Sequence, residues 1–402
     1  MRNVNGRVNR LFSLFKRKER FLVMEISSRF VRISFIKANF DKKRLEIVNA
    51  TIIDHDAEVG GFDVEAVRRA LRRFGKLSRY KIILSLDPVF STTVHAAVVL
   101  MRDNGKEPVD DADLDNRIAQ GIWKLYDRER AGAASKMKVS DLDVLLADVK
   151  VKCIKLDGHR VVNPIGFKAK AIEIQFTQTF HSRPFADVAQ ELLPNNQPVL
   201  IGEGGVLESD IIARADAPDS FLFLNLMPGK SSVFFSNGTD IAHIDSFRWT
   251  KEDVIQALAE FFAVDRETAE KMFGIYLIRQ ASPAVIKKIE SLVYEEFKKL
   301  AKHISSAASR LNPEVIYVRS FFDLPEFIFG NKFRSEISGR AKILPVSWLA
   351  LSEKLGFIIK SKRGLDQESF FSPLAAILSF YFLPQDDKIN KIAKRHARWL
   401  IS

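Results

Sequence analysis

The sequence holds a single cysteine, Cys153, in 402 residues. No disulfide can form within the chain, and no thiolate metal site can be assembled. Cys153 lies in the alternating run Val149-Lys150-Val151-Lys152-Cys153-Ile154, where the pattern is that of a small strand residue. Histidine is also scarce: seven are scattered with no two at ligand spacing, so no metal site is expected. There is no run of about 18 apolar residues. The longest candidate, Leu374 to Leu383 after Pro373, is roughly half a membrane span and reads as a buried core helix. The basic N-terminus lacks the continuous apolar stretch of a signal peptide, so the expected location is the cytoplasm. No Ser/His/Asp arrangement and no carboxylate pair at catalytic spacing stands out, and no catalytic residue is assigned.

What is present is an uneven charge. Lys and Arg number 62 against 50 Asp and Glu, a net +12. Residues 1–20 hold Arg2, Arg7, Arg10, Lys16, Arg17, Lys18 and Arg20 against Glu19. Residues 388–402 hold Lys388, Lys391, Lys394, Arg395 and Arg398 with no acid. The body between them is nearly neutral. A nucleic-acid binder more often spreads cations over a folded groove. Charge concentrated at two ends points to tethers on an anionic surface, with no nucleic-acid partner.

Along the chain, strands are expected at Phe21–Ile26, Val31–Ile36 and Leu45–Ile53, followed by a helix through Val64, Val67, Leu71 and Phe74 and a strand at Lys81–Leu86. A different module is expected from about residue 81. It holds an acidic loop (Asp103 to Asp115), a helix around Ile118–Tyr126, and strands at Val144–Ile154 and Ala171–Thr179. A second strand–strand–strand–helix opening starts at Phe221, with a turn at Ser236-Asn237-Gly238. Thr250 caps a helix with Asp253 three residues on. A long helix is expected over Ser282–Leu311, between Pro283 and Pro313. Gly202-Glu203-Gly204-Gly205 reads as a loop.

A duplicated lobe with an inserted module resembles the actin-like ATPases. Three segments resemble the bacterial cell-division protein FtsA: Val161-Val162-Asn163-Pro164-Ile165-Gly166-Phe167-Lys168-Ala169-Lys170, Ser236-Asn237-Gly238, and Ser372-Pro373-Leu374-Ala375-Ala376. Leu11-Phe12-Ser13-Leu14-Phe15-Lys16-Arg17-Lys18 is similar to the start of PilM, a related platform protein of type IV pili. The resemblance implies an α/β, actin-like (ribonuclease H-like) two-lobed fold with an inserted α/β subdomain. Its expected parts are a basic segment at 1–20, a first lobe at 21–80 continued at 184–215, an interaction subdomain at 81–183, a second lobe at 216–385, and a basic helix at 386–402.

The family pattern also implies where a nucleotide would sit. Two hairpin turns clamp the phosphates through backbone N–H groups, and a glycine turn after a late strand admits the adenosine. Here the first hairpin reads Glu25-Ile26-Ser27-Ser28-Arg29, in place of an Asp-aliphatic-Gly-Thr-Ser pattern. The second reads Asn225-Leu226-Met227-Pro228-Gly229-Lys230-Ser231, without the acid and with a proline that donates no N–H. The late turn reads Arg319-Ser320-Phe321-Phe322, where Phe321 or Phe322 would fill the space of a base. The expectation is a site that has lost ATP and magnesium. In the opposing reading, Ser27, Ser28, Lys230 and Ser231 hold a phosphate through side chains.

At 100° per residue, Ile389, Ile392, Ala393, Ala397, Trp399 and Leu400 fall in one arc of roughly 160°, opposite Lys391, Lys394, Arg395 and Arg398. That is the pattern of an interfacial helix, and FtsA proteins end in one. The leading expectation is a peripheral scaffold on the inner membrane face that links an FtsZ-like division protein to anionic lipid, with self-association into filaments possible. A PilM-like platform gripping a pilus-assembly membrane protein is the alternative, and a working ATPase is a third.

Overall fold

The computed structural model describes residues 18–55, 62–216, 218–238, 240–337, 340–362, 365–382 and 388–397. The first lobe opens with β1 (Glu19–Ile26), β2 (Phe30–Asn39), β3 (Arg44–Asp54), α1 (Val64–Arg72) and β4 (Lys81–Leu86). An inserted module follows: β5 (Ser91–Met101), α2 (Asp111–Met137), β6 (Val144–Leu156), β7 (His159–Val161) and β8 (Ala171–Ser182). The chain then returns to the first lobe with α3 (Arg183–Leu192), β9 (Leu200–Glu203) and α4 (Gly204–Asp216). The second lobe holds β10 (Phe221–Leu226), β11 (Ser231–Ser236), β12 (Ile241–Phe247), α5 (Lys251–Phe262), α6 (Arg266–Leu277), α7 (Pro283–Leu311), β13 (Val315–Ser320), α8 (Asn331–Glu336) and β14 (Lys342–Pro345). The chain ends with α9 (Trp348–Lys354), β15 (Ile358–Ser361), α10 (Phe371–Phe382) and α11 (Lys388–Ala397).

Two sheets repeat one topology. The first runs β15-β3-β2-β1-β4-β9 and the second β12-β11-β10-β13-β14. In each, an antiparallel meander leads to a central strand, and parallel strands continue beyond it. The central strands are covered on both faces, which is why β1 and β10 read as continuous apolar runs rather than alternating ones. α4 and α10 lie between the sheets. Val206, Leu207, Ile211 and Ile212 meet Leu374 to Leu378 there, in one core with Phe21, Phe221 and Phe234. Gly205 is required at this contact: a Cβ on it would stand 2.1 Å from the Phe234 ring of the second lobe.

Two expected boundaries move. β4 pairs with β1 and β9, so the module begins at β5 rather than at residue 81. β15 pairs with β3, and Trp348 and Leu351 of α9 join the first-lobe core, so the chain leaves the second lobe well before residue 385. Pairing across the sheet, which no local pattern reveals, decides both. The helix expected around Ile118–Tyr126 runs from Asp111 to Met137, because Asp110 caps it by accepting from the Asp113 N–H at 2.7 Å. Gly202-Glu203-Gly204-Gly205 is not a loop but the junction of β9 and α4.

The expected membrane face of the last helix is also corrected. On α11, Ile392, Ala393 and Ala397 are buried in the core of the inserted module, and Ile389 packs against it. The Asn390 side chain spans the Val151 backbone of β6, accepting from its N–H at 2.7 Å and donating to its carbonyl at 3.3 Å. Lys388 pairs with Asp111, while Arg395 and His396 both pair with Asp115. The part of the stripe within the described residues is thus taken up by protein. Arg398, Trp399 and Leu400 lie outside the described residues, as does the segment 1–17. Removing residues 388–402 is expected to lower the module's stability by about 3 kcal/mol, the worth of one to two buried aliphatic side chains. A melting curve of the truncated chain checks this, and an unchanged midpoint would return the helix to an outward-facing role.

Candidate functional site

The site is the cleft where three turns meet. In the first turn, the Ser27 hydroxyl accepts from the N–H groups of Arg29 and Phe30, each at 3.1 Å. It thereby takes up donors that a phosphate would need. In the second turn, a Cβ on Gly229 would meet Ser28 Oγ at 2.4 Å and Arg29 Cγ at 2.9 Å, so the tips of the two hairpins abut. Lys230 follows Gly229, and Ser231 donates instead to the Trp249 carbonyl at 2.6 Å. In the third turn, the Phe321 N–H donates to the Leu226 carbonyl at 3.0 Å, and Ser320 Oγ accepts from the Phe322 N–H at 3.1 Å. Of the two phenylalanines, Phe321 enters the cleft, its ring 4.7 Å from Phe30, whereas Phe322 packs toward Trp249.

A buried group of four charges crosses this cleft. Glu25 of β1 pairs with Arg32 of β2 at 3.2 Å. Arg319 of β13, in the other lobe, pairs with Glu25 at 3.4 Å and with Glu208 of α4 at 2.5 Å. Arg32 also donates to the Ser369 carbonyl. Both guanidinium groups lie against Phe321, at 4.8 Å for Arg32 and 5.5 Å for Arg319. The group balances two cations against two carboxylates, which is what permits its burial. Burial pushes the Glu208 carboxyl upward while Arg319 pulls against it. Burial lowers the Arg32 guanidinium. Burial acts the same way on Arg319, but its two carboxylates outweigh it and hold that group above the ordinary range.

The space left between Glu25, Ser27, Asn225, Met227 and Arg319 is about 20 Å³. A water needs about 10–15 Å³ on the same measure, whereas ligand pockets run to several hundred. The structure therefore brings Glu25, Ser27, Ser28, Asn225 and Gly229 together around the cleft, but around a plug rather than a vacancy. Arg32, Glu208 and Arg319 were not singled out from the sequence. Their signal is a charged residue inside an apolar run: Arg32 between Val31 and Ile33, and Arg319 after Val315-Ile316-Tyr317-Val318.

A larger cavity, about 430 Å³, lies where the module meets α4, α10 and α11. Val206, Leu207 and Phe380 are among its apolar lining, and Lys150, Lys152, Lys391 and Lys394 among its charged lining. Burial, with Lys152 nearby, pushes the His95 imidazole in its wall down to about 4, so it is neutral at pH 7. No cluster of three or more candidate metal ligands occurs among the described residues.

Of solved structures, a PilM–PilN type IV pilus biogenesis complex matches with TM-score 0.52 and 13% identity, covering 95% of this chain and 99% of that one. The chain has the actin-like ATPase fold. MreB 5 of Spiroplasma citri bound to AMPPNP matches with TM-score 0.44 and 9% identity, over 90% of this chain and 96% of that one. The ethanolamine utilization protein EutJ of Carboxydothermus hydrogenoformans gives TM-score 0.38 and 10% identity, over 90% of each chain. No family model and no curated protein matches the sequence. In the actin-like fold the cleft between the lobes is where this chain places its four-charge plug.

Proposed function

We propose that this chain is a scaffold that retains the actin-like fold without its nucleotide chemistry. The closed cleft carries the reading. Arg319 bridges the lobes to Glu25 and Glu208, the role a bound nucleotide and its ion would otherwise fill, and leaves room for about one water. Titration calorimetry of the full chain with magnesium-ATP is expected to show no binding heat, and a phosphate-release assay no turnover. A site of micromolar affinity would overturn the reading.

A scaffold needs a partner surface, and the 430 Å³ cavity beside the module supports one, because apolar side chains and several cations line it together. In the PilM-type reading it grips a short segment of a pilus-assembly membrane protein. In the FtsA-type reading the chain links an FtsZ-like division protein to the inner membrane face. The match to a complex of PilM with PilN carries the fold alone and favours neither reading. Fluorescence anisotropy with a labelled N-terminal segment of a pilus-assembly membrane protein, and with an FtsZ-like C-terminal tail, separates them. Binding of the first that is weakened several-fold by Lys394→Glu favours the platform. Binding of the second alone favours division.

A further inference from the structure

The described part of the last helix spends its apolar residues on the inserted module. The first lobe carries a surface suited to a membrane contact. Residues 66–81 hold seven Lys and Arg and no acid. α1 turns Val67, Ala70 and Leu71 into the core and leaves Arg69 exposed, with Arg72 and Arg73 exposed at its end. Lys76 and Arg79, just past the turn at Gly75, are exposed as well. Arg68 is paired with Glu65 and Glu191, and Lys81 with Glu19. Among the described residues no ion pair joins the other five. Cations that serve only solubility are usually interspersed with acids, which lowers their mutual repulsion. This group is not.

The surface is also shaped. Two open basins, about 930 and 530 Å³, share Tyr80 as a wall. Arg79, Lys81, Lys18 and Arg20 line the first, together with Glu19 and Asp41. Arg73 and Lys362 line the second. Tyr80 is fixed by donating to the Phe74 carbonyl at 2.9 Å. The chain reaches Lys18 inside the first basin, so the preceding segment is covalently joined to this rim. That segment adds five cations in residues 1–17, with Val4, Val8, Leu11, Phe12 and Phe15 at helical spacing.

We propose that the rim formed by α1, the turn at Gly75 and the start of β1 is the face by which this chain docks on an anionic lipid bilayer. Phosphate headgroups match the cationic basins, and each Lys or Arg near such a surface contributes on its own. The apolar residues among the cations of the adjoining segment favour lipid over nucleic acid, because interfacial binding combines both features. Segment and rim then act as two linked contacts. The proposal does not depend on what fills the cavity beside the module.

Co-sedimentation of the full chain with phosphatidylcholine vesicles, with and without phosphatidylglycerol, tests it. The expected result is binding only to the anionic vesicles. The variant Arg69→Ala/Arg72→Ala/Arg73→Ala is expected to partition about a hundredfold more weakly. Alanine favours the helix, so the fold is kept, and a melting curve on the same sample verifies that. Capture of a peptide in the cavity beside the module is expected to be unchanged in this variant, so failure of one reading is distinguishable from failure of the other. Three outcomes overturn the proposal: no preference for anionic vesicles, equal binding by the triple variant, or tighter binding to a short DNA duplex than to the vesicles. Loss of all lipid binding on deleting residues 1–17, with no effect of the triple variant, overturns it as well, because the segment would then act alone.

Discussion

Replacing Arg319 with alanine is expected to destabilise the chain by about 3–5 kcal/mol, the cost of removing one partner from a buried ion pair. Arg319 is the only member of the four-charge group that comes from the second lobe. Without it Glu25 keeps Arg32, but Glu208, deep in the interface, loses the one ion pair it makes among the described residues. The lobes then lose their polar bridge while the apolar contact of α4 and α10 remains. Urea unfolding of the single variant measures the effect. Adding Glu208→Gln in the Arg319→Ala background is expected to recover part of it, since a neutral amide costs less to bury than an unpaired carboxylate. A single-variant loss below about 1 kcal/mol, the range of exposed pairs, would mean that the group does not hold the lobes together.

The second large effect concerns Glu203, at the junction of β9 and α4. Its carboxylate is fully buried, and one oxygen accepts from the Thr93 N–H of β5 at 2.7 Å. Burial pushes it up to about 8, with the Thr93 hydrogen bond and Lys136 opposing. The sign follows from proton counting. Between the unfolded value near 4.3 and the folded value near 8, the native state holds a proton that the unfolded state has released. Stability from this group is therefore complete below about pH 4.3 and falls as pH rises through 8. The slope is about 1.4 kcal/mol per pH unit, on the order of 5 kcal/mol across the window. Glu203→Gln keeps an acceptor for Thr93 and carries no proton to lose. Its melting point is expected to match the parent near pH 5 and to exceed it clearly at pH 8. Two melting curves displaced by the same amount at both pH values would show that Glu203 does not titrate in this window.

Much of the architecture was legible because it rests on local rules. Thr250 and Asp253 form the expected capping box, and α7 begins at Pro283 and ends before Pro313 as its punctuation implies. The repeated opening at Phe21 and Phe221 yields two sheets of the same order, since each central strand must be apolar on both faces to be buried. The altered turns were visible as well: Pro228 has no N–H to offer, whatever surrounds it.

What only the tertiary structure decided is how exposed needs were met. An apolar stripe such as Ile389, Ile392 and Ala393 declares that a helix requires an apolar neighbour, but it does not distinguish a bilayer from the sheet of the inserted module; β6 and α2 settled that by position. Arg319 reads locally as a charge at a strand end, and becomes a bridge only because folding brings Glu25 and Glu208, from distant parts of the chain, within 3.4 and 2.5 Å. The cations after Ala66 likewise gained meaning from placement, when Arg69, Arg72 and Arg73 turned outward and Arg79 came to line the basin that also holds Lys18. Periodicity fixes which side of an element must be covered; long-range packing chooses the cover, because the contact free energy depends on residues far apart in the sequence.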